Sequence, residues 1–251
     1  MRLVPLEIGR VIAQMRIIDG SDGTAVFPVP SWLIEHPDGL VLFDTGMHAE
    51  LQDSFERIGE GTAEVFRPDF HRGEEVSARL GDREIRPSDV THMVLSHLHF
   101  DHSGGTGEIP DARLVVQRAE WESGQDPRMI ERGVYNPADY DLGHDLQLIE
   151  GQHDLFGDGR VVCVPTPGHT KGHQSLRVEL ESGPVVLTGD CVYTEALMES
   201  MTVPAMGSER ANAQQLESMQ YLRELRDDHG CRLLYGHDVD QFRSLPGDGL
   251  T

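Results

Sequence analysis

A cluster of potential metal ligands follows an apolar run near the middle of the sequence. His97, His99, Asp101 and His102 come directly after residues 93–96, which have a strand-like pattern. On a helix, side chains two positions apart point about 200° away from each other, whereas at a strand exit they face the same side. His97 and His99 can therefore converge on one cation, and a bend at the glycines that follow would bring Asp101 and His102 toward a second. Imidazole with carboxylate suits zinc, iron, cobalt or manganese, but not calcium or magnesium alone.

Three further candidate ligands follow other predicted strands. They are His169, Asp190 and His237, and a glycine immediately precedes each one. Taken singly, a His or Asp at a strand end is most often a turn residue. Active sites, however, gather at strand ends, and burying several ionisable groups together is costly unless a metal or hydrogen bonds satisfy them. The set as a whole therefore predicts one metal centre rather than a surface histidine cluster or unrelated turns.

Short apolar runs bounded by Gly, Pro and Asp predict a strand-rich protein. Residues 31–35 and 40–43 predict a hairpin, because Asp38-Gly39 supplies its turn. Leucine and methionine at helical spacing predict a helix over 211–228, with Gly230 as its stop. Further strands are predicted at 93–96, 114–117, 161–165, 175–180, 185–188 and 233–235, and a second helix at 74–80.

Many strands with few helices between them argue against a doubly wound parallel sheet. They favour an α+β fold in which two mixed β-sheets pack face to face with helices on the outer faces. Residues 59–73 and 124–145 lack both patterns, so we expect long loops there, either lids and substrate walls or surface disorder.

The overall composition is that of an ordinary globular protein. The 251 residues are 38% hydrophobic and 25% charged, which suits a single domain, 1–251, with two halves of about 1–155 and 156–251. The formal charge of −22 repels phosphate backbones, so we expect no nucleic-acid partner; otherwise the acidity serves solubility or a salty interior. There is no apolar run of roughly 20 residues and no signal-peptide pattern, so we expect no membrane association. Three cysteines without a CxxC pair predict free thiols in a cytoplasmic protein, which we expect to be a monomer or homodimer.

These residues also carry a family resemblance. The run His97-x-His99-x-Asp101-His102, followed by His169, Asp190 and His237, resembles the motif of the metallo-β-lactamase fold superfamily over roughly residues 25–240. Within it, the chain is most similar to the N-acyl homoserine lactonases, the quorum-quenching lactonases. The segments that carry this similarity are 43–47, 96–102, 116–118, 166–176, 190–194 and 236–238. Tyr193, three residues after Asp190, is the most discriminating mark, because the lactonases place a phenol there.

The resemblance implies an αββα sandwich and a dinuclear metal hydrolase. It assigns His97, His99 and His169 to the first metal, Asp101, His102 and His237 to the second, and Asp190 to a bridge between them. The resemblance also implies two divalent ions, with zinc preferred over iron, cobalt or manganese. A hydroxide shared by the metals would attack the lactone carbonyl. Tyr193 would then stabilise the oxyanion, and Asp101 would return a proton to the ring oxygen.

Several neighbouring residues have two readings. Asp44 either orients a ligating imidazole or stabilises a turn, and His173 is expected to buttress the His169 turn. If its stretch is extended, Cys191 should point to the opposite face, and we expect it to serve packing. Phe66, Phe70 and Phe100, with Met198, Met201 and Met206, form either an acyl-chain pocket or ordinary core.

Two other functions remain open at this point. One is a different hydrolase on the same scaffold: a thioesterase of the glyoxalase II type, a phosphodiesterase, or an aryl or organophosphate esterase. The other is a non-hydrolytic di-iron electron-transfer or metal-sensing module. The branch resembling the latter carries Glu where this chain has His99. In the hydrolase readings the partner is a small-molecule lactone or ester.

Overall fold

Two β-sheets form the centre of the computed structural model, which describes residues 1–204 and 207–251. The strands are β1 (Arg2–Gln14), β2 (Thr24–His36), β3 (Gly39–Phe43), β4 (Phe66–Asp69), β5 (Val90–Val94), β6 (Arg113–Gln117), β7 (Leu146–Ile149), β8 (His153–Asp154), β9 (Val161–Pro165), β10 (Gln174–Leu180), β11 (Gly183–Leu187) and β12 (Arg232–Leu234). The helices are α1 (Gly59–Val65), α2 (Val76–Gly81), α3 (Phe100–Ser103), α4 (Arg118–Gly124), α5 (Pro127–Glu131), α6 (Glu195–Ser200), α7 (Glu209–Asp227) and α8 (Val239–Ser244). One sheet has the order β4-β1-β2-β3-β5-β6-β7 and the other β12-β11-β10-β9-β8. Both sheets mix parallel and antiparallel pairs.

Alternation along the strands separates the layers. In β3, Val41 and Phe43 pack with Leu176 of the other sheet, whereas Leu42 packs on the opposite face, in the cluster that includes residues of α2. Val186 in β11 faces outward and packs with α7. Because successive strand side chains point to opposite faces, each strand contributes to two layers. The predicted α+β sandwich, with two sheets face to face and helices outside, is confirmed.

The predicted hairpin is also confirmed. β2 pairs antiparallel with β3, and Glu35 lies opposite Leu40 across the turn. The helix expected over 211–228 is α7, whose first turn is capped by the Ser208 side chain, which accepts a hydrogen bond from the backbone of Ala211. The other predicted strands overlap β5, β6, β9, β10, β11 and β12, and the predicted helix at 74–80 overlaps α2.

The two predicted long loops are partly wrong. Residues 59–73 contain α1 and the strand β4, which pairs with β1 so that Phe66 lies opposite Ala13. Its backbone hydrogen bonds come from a distant strand, so local periodicity gave no sign of it. Residues 124–145 contain α5, where Asp126 caps the helix and Pro127 begins it. An Asp-Pro pair is typical of a helix N-terminus and could have predicted this helix, although its hydrophobic pattern did not.

Two predictions drawn from composition can be compared with the structure. All three cysteines, Cys163, Cys191 and Cys231, are free and buried, as predicted. Among the helices of residues 1–204 and 207–251, none is long and apolar enough to cross a membrane.

Candidate metal centre

Five strand ends supply the side chains that come together at one edge of the sandwich. Asp44 follows β3, His97 follows β5, His169 follows β9, Asp190 follows β11 and His237 follows β12. β3 runs parallel to β5, and β11 runs parallel to β12, so their carboxyl ends lie side by side. The backbone N–H of Gln174 donates to the carbonyl of Ser96 at 2.9 Å and joins the two sheets at this edge. The turns after the strands therefore face one another.

Three imidazoles make up the first group, His97, His99 and His169. Nδ1 of His99 lies 3.0 Å from Nε2 of His97 and 3.0 Å from Nε2 of His169. His97 is fully buried, so its ring is shielded from bulk water. Three nitrogen atoms that converge at this distance form the donor set that a zinc-like cation takes.

Asp190 connects this group to the second one, which consists of Asp101, His102 and His237. Its Oδ2 lies 3.3 Å from His169 Nε2, while its Oδ1 lies 3.1 Å from His102 Nε2 and 2.9 Å from His237 Nε2. Oδ2 of Asp101 lies 3.7 Å and 3.9 Å from the same two nitrogens of His102 and His237. One carboxylate thus presents one oxygen to each group.

Hydrogen bonds on the far side of each ring decide which nitrogen is free. Nδ1 of His237 donates to the carbonyl of Pro28 at 2.8 Å, and Nδ1 of His102 donates to Asp44 Oδ2 at 2.8 Å. Nδ1 of His97 lies 3.0 Å from Ser96 Oγ. In each ring Nδ1 faces a partner in the protein, so Nε2 is the atom that points into the site.

The fit of this site to cations can be judged from its polar atoms. Nε2 of His102 is buried and makes no hydrogen bond, although Asp190 Oδ1 is only 3.1 Å away. Burial works against charge on His102, but Asp190, Asp101 and Asp44 raise its pKa well above the ordinary value. The three carboxylates thus favour a positive charge beside Nε2 of His102, which has no hydrogen-bond partner. The residues present fit divalent cations.

Burial has the opposite effect to these carboxylates on His97, His169 and His173. It lowers the pKa of His97 and His169 well below the ordinary value, so both rings stay neutral and able to bind a metal. His173 is likewise buried, which lowers its pKa to about 3. Its Nε2 accepts from the backbone N–H of Asp190 at 3.0 Å, and its Nδ1 lies 3.1 Å from the carbonyl of Thr166. His173 therefore holds the Asp190 turn as well as the turn that carries His169.

The glycine before Asp190 is required by this packing. Gly189 has a φ of +53°, and a Cβ there would lie 2.8 Å from His173 Nε2. Cys191, on the other side of Asp190, is buried in the cluster that includes Met219 of α7. Its packing role is the one that the sequence predicted.

Tyr193 lies beside both groups. Its ring centroid is 5.3 Å from that of His237 and 5.9 Å from that of His169. Burial, followed by the charges of Asp190 and Asp101, raises the pKa of its phenol well above the ordinary value. The hydroxyl therefore stays protonated and can donate a hydrogen bond.

A cavity of about 530 Å³ opens onto the site, and its walls include Asp101, Asp190 and Tyr193. Of the predicted pocket residues, Phe66 and Phe100 line it. Phe70 does not; it is buried in the core, where it occupies the space beside Gly9.

The predicted methionines have a different position. Met198 is buried against α7, and Met201 packs on the same cluster. Met198 belongs to the core, Met201 packs against it, and neither lines the cavity. Met206 lies outside the described residues.

One residue at the site carried no signal in the sequence. Glu120 in α4 is fully buried and accepts hydrogen bonds from the backbone of Leu98 and Gly172 and from the hydroxyl of Tyr135. Spacing could not indicate it, because its three donors belong to three distant segments. Burial raises the pKa of this carboxyl, and the hydrogen bonds oppose that effect.

The family model described as the metallo-beta-lactamase superfamily matches residues 24–237, a range that contains every ligand candidate. The chain belongs to the metallo-beta-lactamase superfamily. Among curated relatives of this superfamily, the N-acyl homoserine lactonase AttM of Azorhizobium caulinodans is 33% identical over 259 residues, which cover 98% of each chain. The N-acyl homoserine lactonase of a Bacillus species is 34% identical over 220 residues, 86% of this chain and 83% of the relative.

Solved structures of the superfamily agree with this placement. A variant of B. thuringiensis AiiA with N-decanoyl-L-homoserine bound at its active site has a TM-score of 0.86 and 28% identity, covering 98% of this chain and 96% of its own. An N-acyl homoserine lactone hydrolase with N-hexanoyl-L-homoserine bound at its catalytic metal center gives the same values. The fold similarity thus extends over nearly the whole chain.

Proposed function

We propose that this protein is a metal-dependent hydrolase that opens the lactone ring of N-acyl homoserine lactones, a quorum-quenching activity. One observation carries the proposal: the two oxygens of Asp190 face two separate histidine groups, with the Tyr193 phenol beside both. The similarity to lactonases along the whole chain supports the substrate class. Hydrolysis would yield the N-acyl homoserine.

His97, His99 and His169 would hold one divalent cation, Asp101, His102 and His237 would hold the other, and Asp190 would contact both. We propose zinc for both positions, because neutral imidazoles with few carboxylates suit it best. When bound, the cations supply Lewis acidity and lower the pKa of water toward neutrality.

The remaining steps belong to the protein's own side chains. The Tyr193 hydroxyl donates to the carbonyl oxygen as negative charge develops there, which its raised pKa permits. Asp101 lines the cavity beside His237, and its carboxylate would take the proton that the attacking water releases and pass it to the ring oxygen as the ester bond breaks. Phe27 and Phe66 line the same cavity and offer apolar surface for an acyl chain.

A substrate panel tests this function. Purified protein loaded with zinc would be offered N-hexanoyl and N-decanoyl homoserine lactone, a glutathione thioester, an aryl ester and a phosphotriester. The rate of each hydrolysis would be measured from the protons released or from the absorbance of a coloured product. We expect lactone opening to have the highest kcat/KM. Faster turnover of the thioester or phosphotriester would instead favour the other hydrolases of this scaffold.

The role of Tyr193 has its own test. Tyr193→Phe should lower kcat on the order of 100-fold, because one donor to the oxyanion is lost, while both cations remain bound. Tyr221→Phe is the matched control, since Tyr221 lies on α7 and contacts the side chain of Gln152. Unchanged kcat in Tyr193→Phe would remove the phenol from the mechanism.

A further inference from the structure

Glu120 occupies an unusual place for a carboxylate. It is fully buried in α4, yet its charge is matched by three donors. Oε1 accepts from the backbone N–H of Leu98 at 3.1 Å and from the hydroxyl of Tyr135 at 3.1 Å, and Oε2 accepts from the backbone N–H of Gly172 at 3.1 Å. A buried charge is costly unless such bonds compensate it, and the three donors offset part of that cost.

The two backbone donors lie in the segments that carry the first group of histidines. Leu98 stands between His97 and His99, and Gly172 stands three residues after His169. One carboxylate therefore ties together the two turns that must converge. The second group is anchored elsewhere, by Asp44 at His102 and by the carbonyl of Pro28 at its other imidazole.

The contact between α4 and these turns leaves no room for a water molecule in place of the carboxylate. A Cβ on Gly172 would lie 2.1 Å from the backbone nitrogen of Glu120, and a Cβ on Gly124 would lie 2.7 Å from a methyl of Leu98. At such close approach, water cannot replace a lost carboxylate oxygen. A donor deprived of its acceptor would remain unsatisfied or move the turn that carries it.

We infer that Glu120 is the positioning residue of the first cation site, acting through the Leu98 and Gly172 backbones on His97, His99 and His169. This inference rests on the proposed two-metal function. It predicts that a change at Glu120 weakens one of the two cation sites. A residue that merely supports the fold would affect both sites alike.

Glu120→Gln tests the inference. The amide keeps the size of the side chain but presents an NH₂ group to one of the donors, so one turn loses its acceptor. Competition with a chromophoric chelator at fixed pH gives two zinc dissociation constants for the wild-type protein. We expect one constant to rise about 10- to 100-fold in the variant and the other to stay within about threefold. In the cobalt-substituted protein, the visible bands of one site should change and those of the other should persist.

Two further variants complete the experiment. Glu122→Gln changes an exposed carboxylate on the same helix and should leave both constants unchanged. Glu120→Asp keeps the charge on a shorter side chain that cannot span both donors, and it should weaken the same site to a lesser degree. It also decides the question by the same criterion if Glu120→Gln does not fold.

The outcomes separate the two proposals. Equal weakening of both sites, or two unchanged constants, in Glu120→Gln would overturn the positioning role and leave the hydrolase intact. A wild-type protein that binds fewer than two zinc ions and opens no lactone would overturn the proposed function itself.

Discussion

Asp44 offers a sharp test of how the second histidine group is set up. Its Oδ2 accepts from His102 Nδ1 at 2.8 Å and from Ser96 Oγ at 2.8 Å, and its Oδ1 accepts from the Ser96 backbone at 2.6 Å. Asp44→Asn keeps the shape, and Asn tolerates the positive φ of 62° at this position. The change therefore isolates the charge and the acceptors.

The expected effect follows from the tautomer of His102. If the new NH₂ group faces Nδ1, that nitrogen must accept, and the proton moves to Nε2, the atom that faces Asp190. Loss of one hydrogen bond to a charged group costs about 1.5–3 kcal/mol. At about 1.4 kcal/mol per decade, one zinc dissociation constant should rise about 10- to 100-fold.

Stability of the metal-free protein should respond differently. Burial raises the pKa of Asp44 above its ordinary value despite the bonds from His102 and Ser96, so the buried charge is itself costly. A neutral amide avoids that cost, and we expect the free energy of unfolding without metal to change by less than about 1 kcal/mol.

The assay pairs chelator competition with urea unfolding of the metal-free protein. Asp82→Asn is the control, because its side chain is 68% exposed. Two dissociation constants within about threefold of wild type, or a large loss of stability without metal, would refute the tautomer argument.

Three further predictions address the cavity, pH and metal. Phe27→Ala should cost about 3 kcal/mol in urea unfolding and weaken turnover of long-chain lactones, because Phe27 is 9% exposed and packs on the same cluster as the phenol; Phe55→Ala, at 38% exposed, should cost far less. Burial outweighs the ion pair with Arg57 and raises the pKa of Asp139 to about 6 from 3.8. The folded state then binds this proton more tightly, so the stability of wild type relative to Asp139→Asn should fall by up to about 3 kcal/mol as pH rises from 4 to 6; no change with pH would contradict the shift. Chelation of the metals should lower the unfolding free energy by about 2.7 kcal/mol per site at a free zinc concentration of 100 Kd, and re-added zinc should restore the melting temperature.

The ligand candidates could be predicted from the sequence because their signal is local. Each of His97, His169, Asp190 and His237 follows an apolar run that forms a strand, and the turn after a strand places the next polar side chain at the sheet edge. The structure brings these residues together where the spacing indicated. Their metal binding remains the proposal that the experiments above address.

The layers could also be predicted, since two-residue and helical periods report which face of an element is buried. β4 could not be predicted, because only its pairing with β1 makes it a strand. Phe66, in this strand, lines the cavity, whereas Phe70, one residue beyond its end, fills the core.

Glu120 and Asp44 show what only the tertiary structure decided. Glu120 resembles any surface glutamate on a short helix until three distant segments place their donors around it. Asp44 could have been a turn residue, but the parallel pairing of β3 with β5 brings it against Ser96 and His102. The sequence by itself determined which side chains could bind metal, because that depends on residue type and neighbouring spacing. The packing of the two sheets decided which buried groups hold them, because those contacts join residues far apart in the chain.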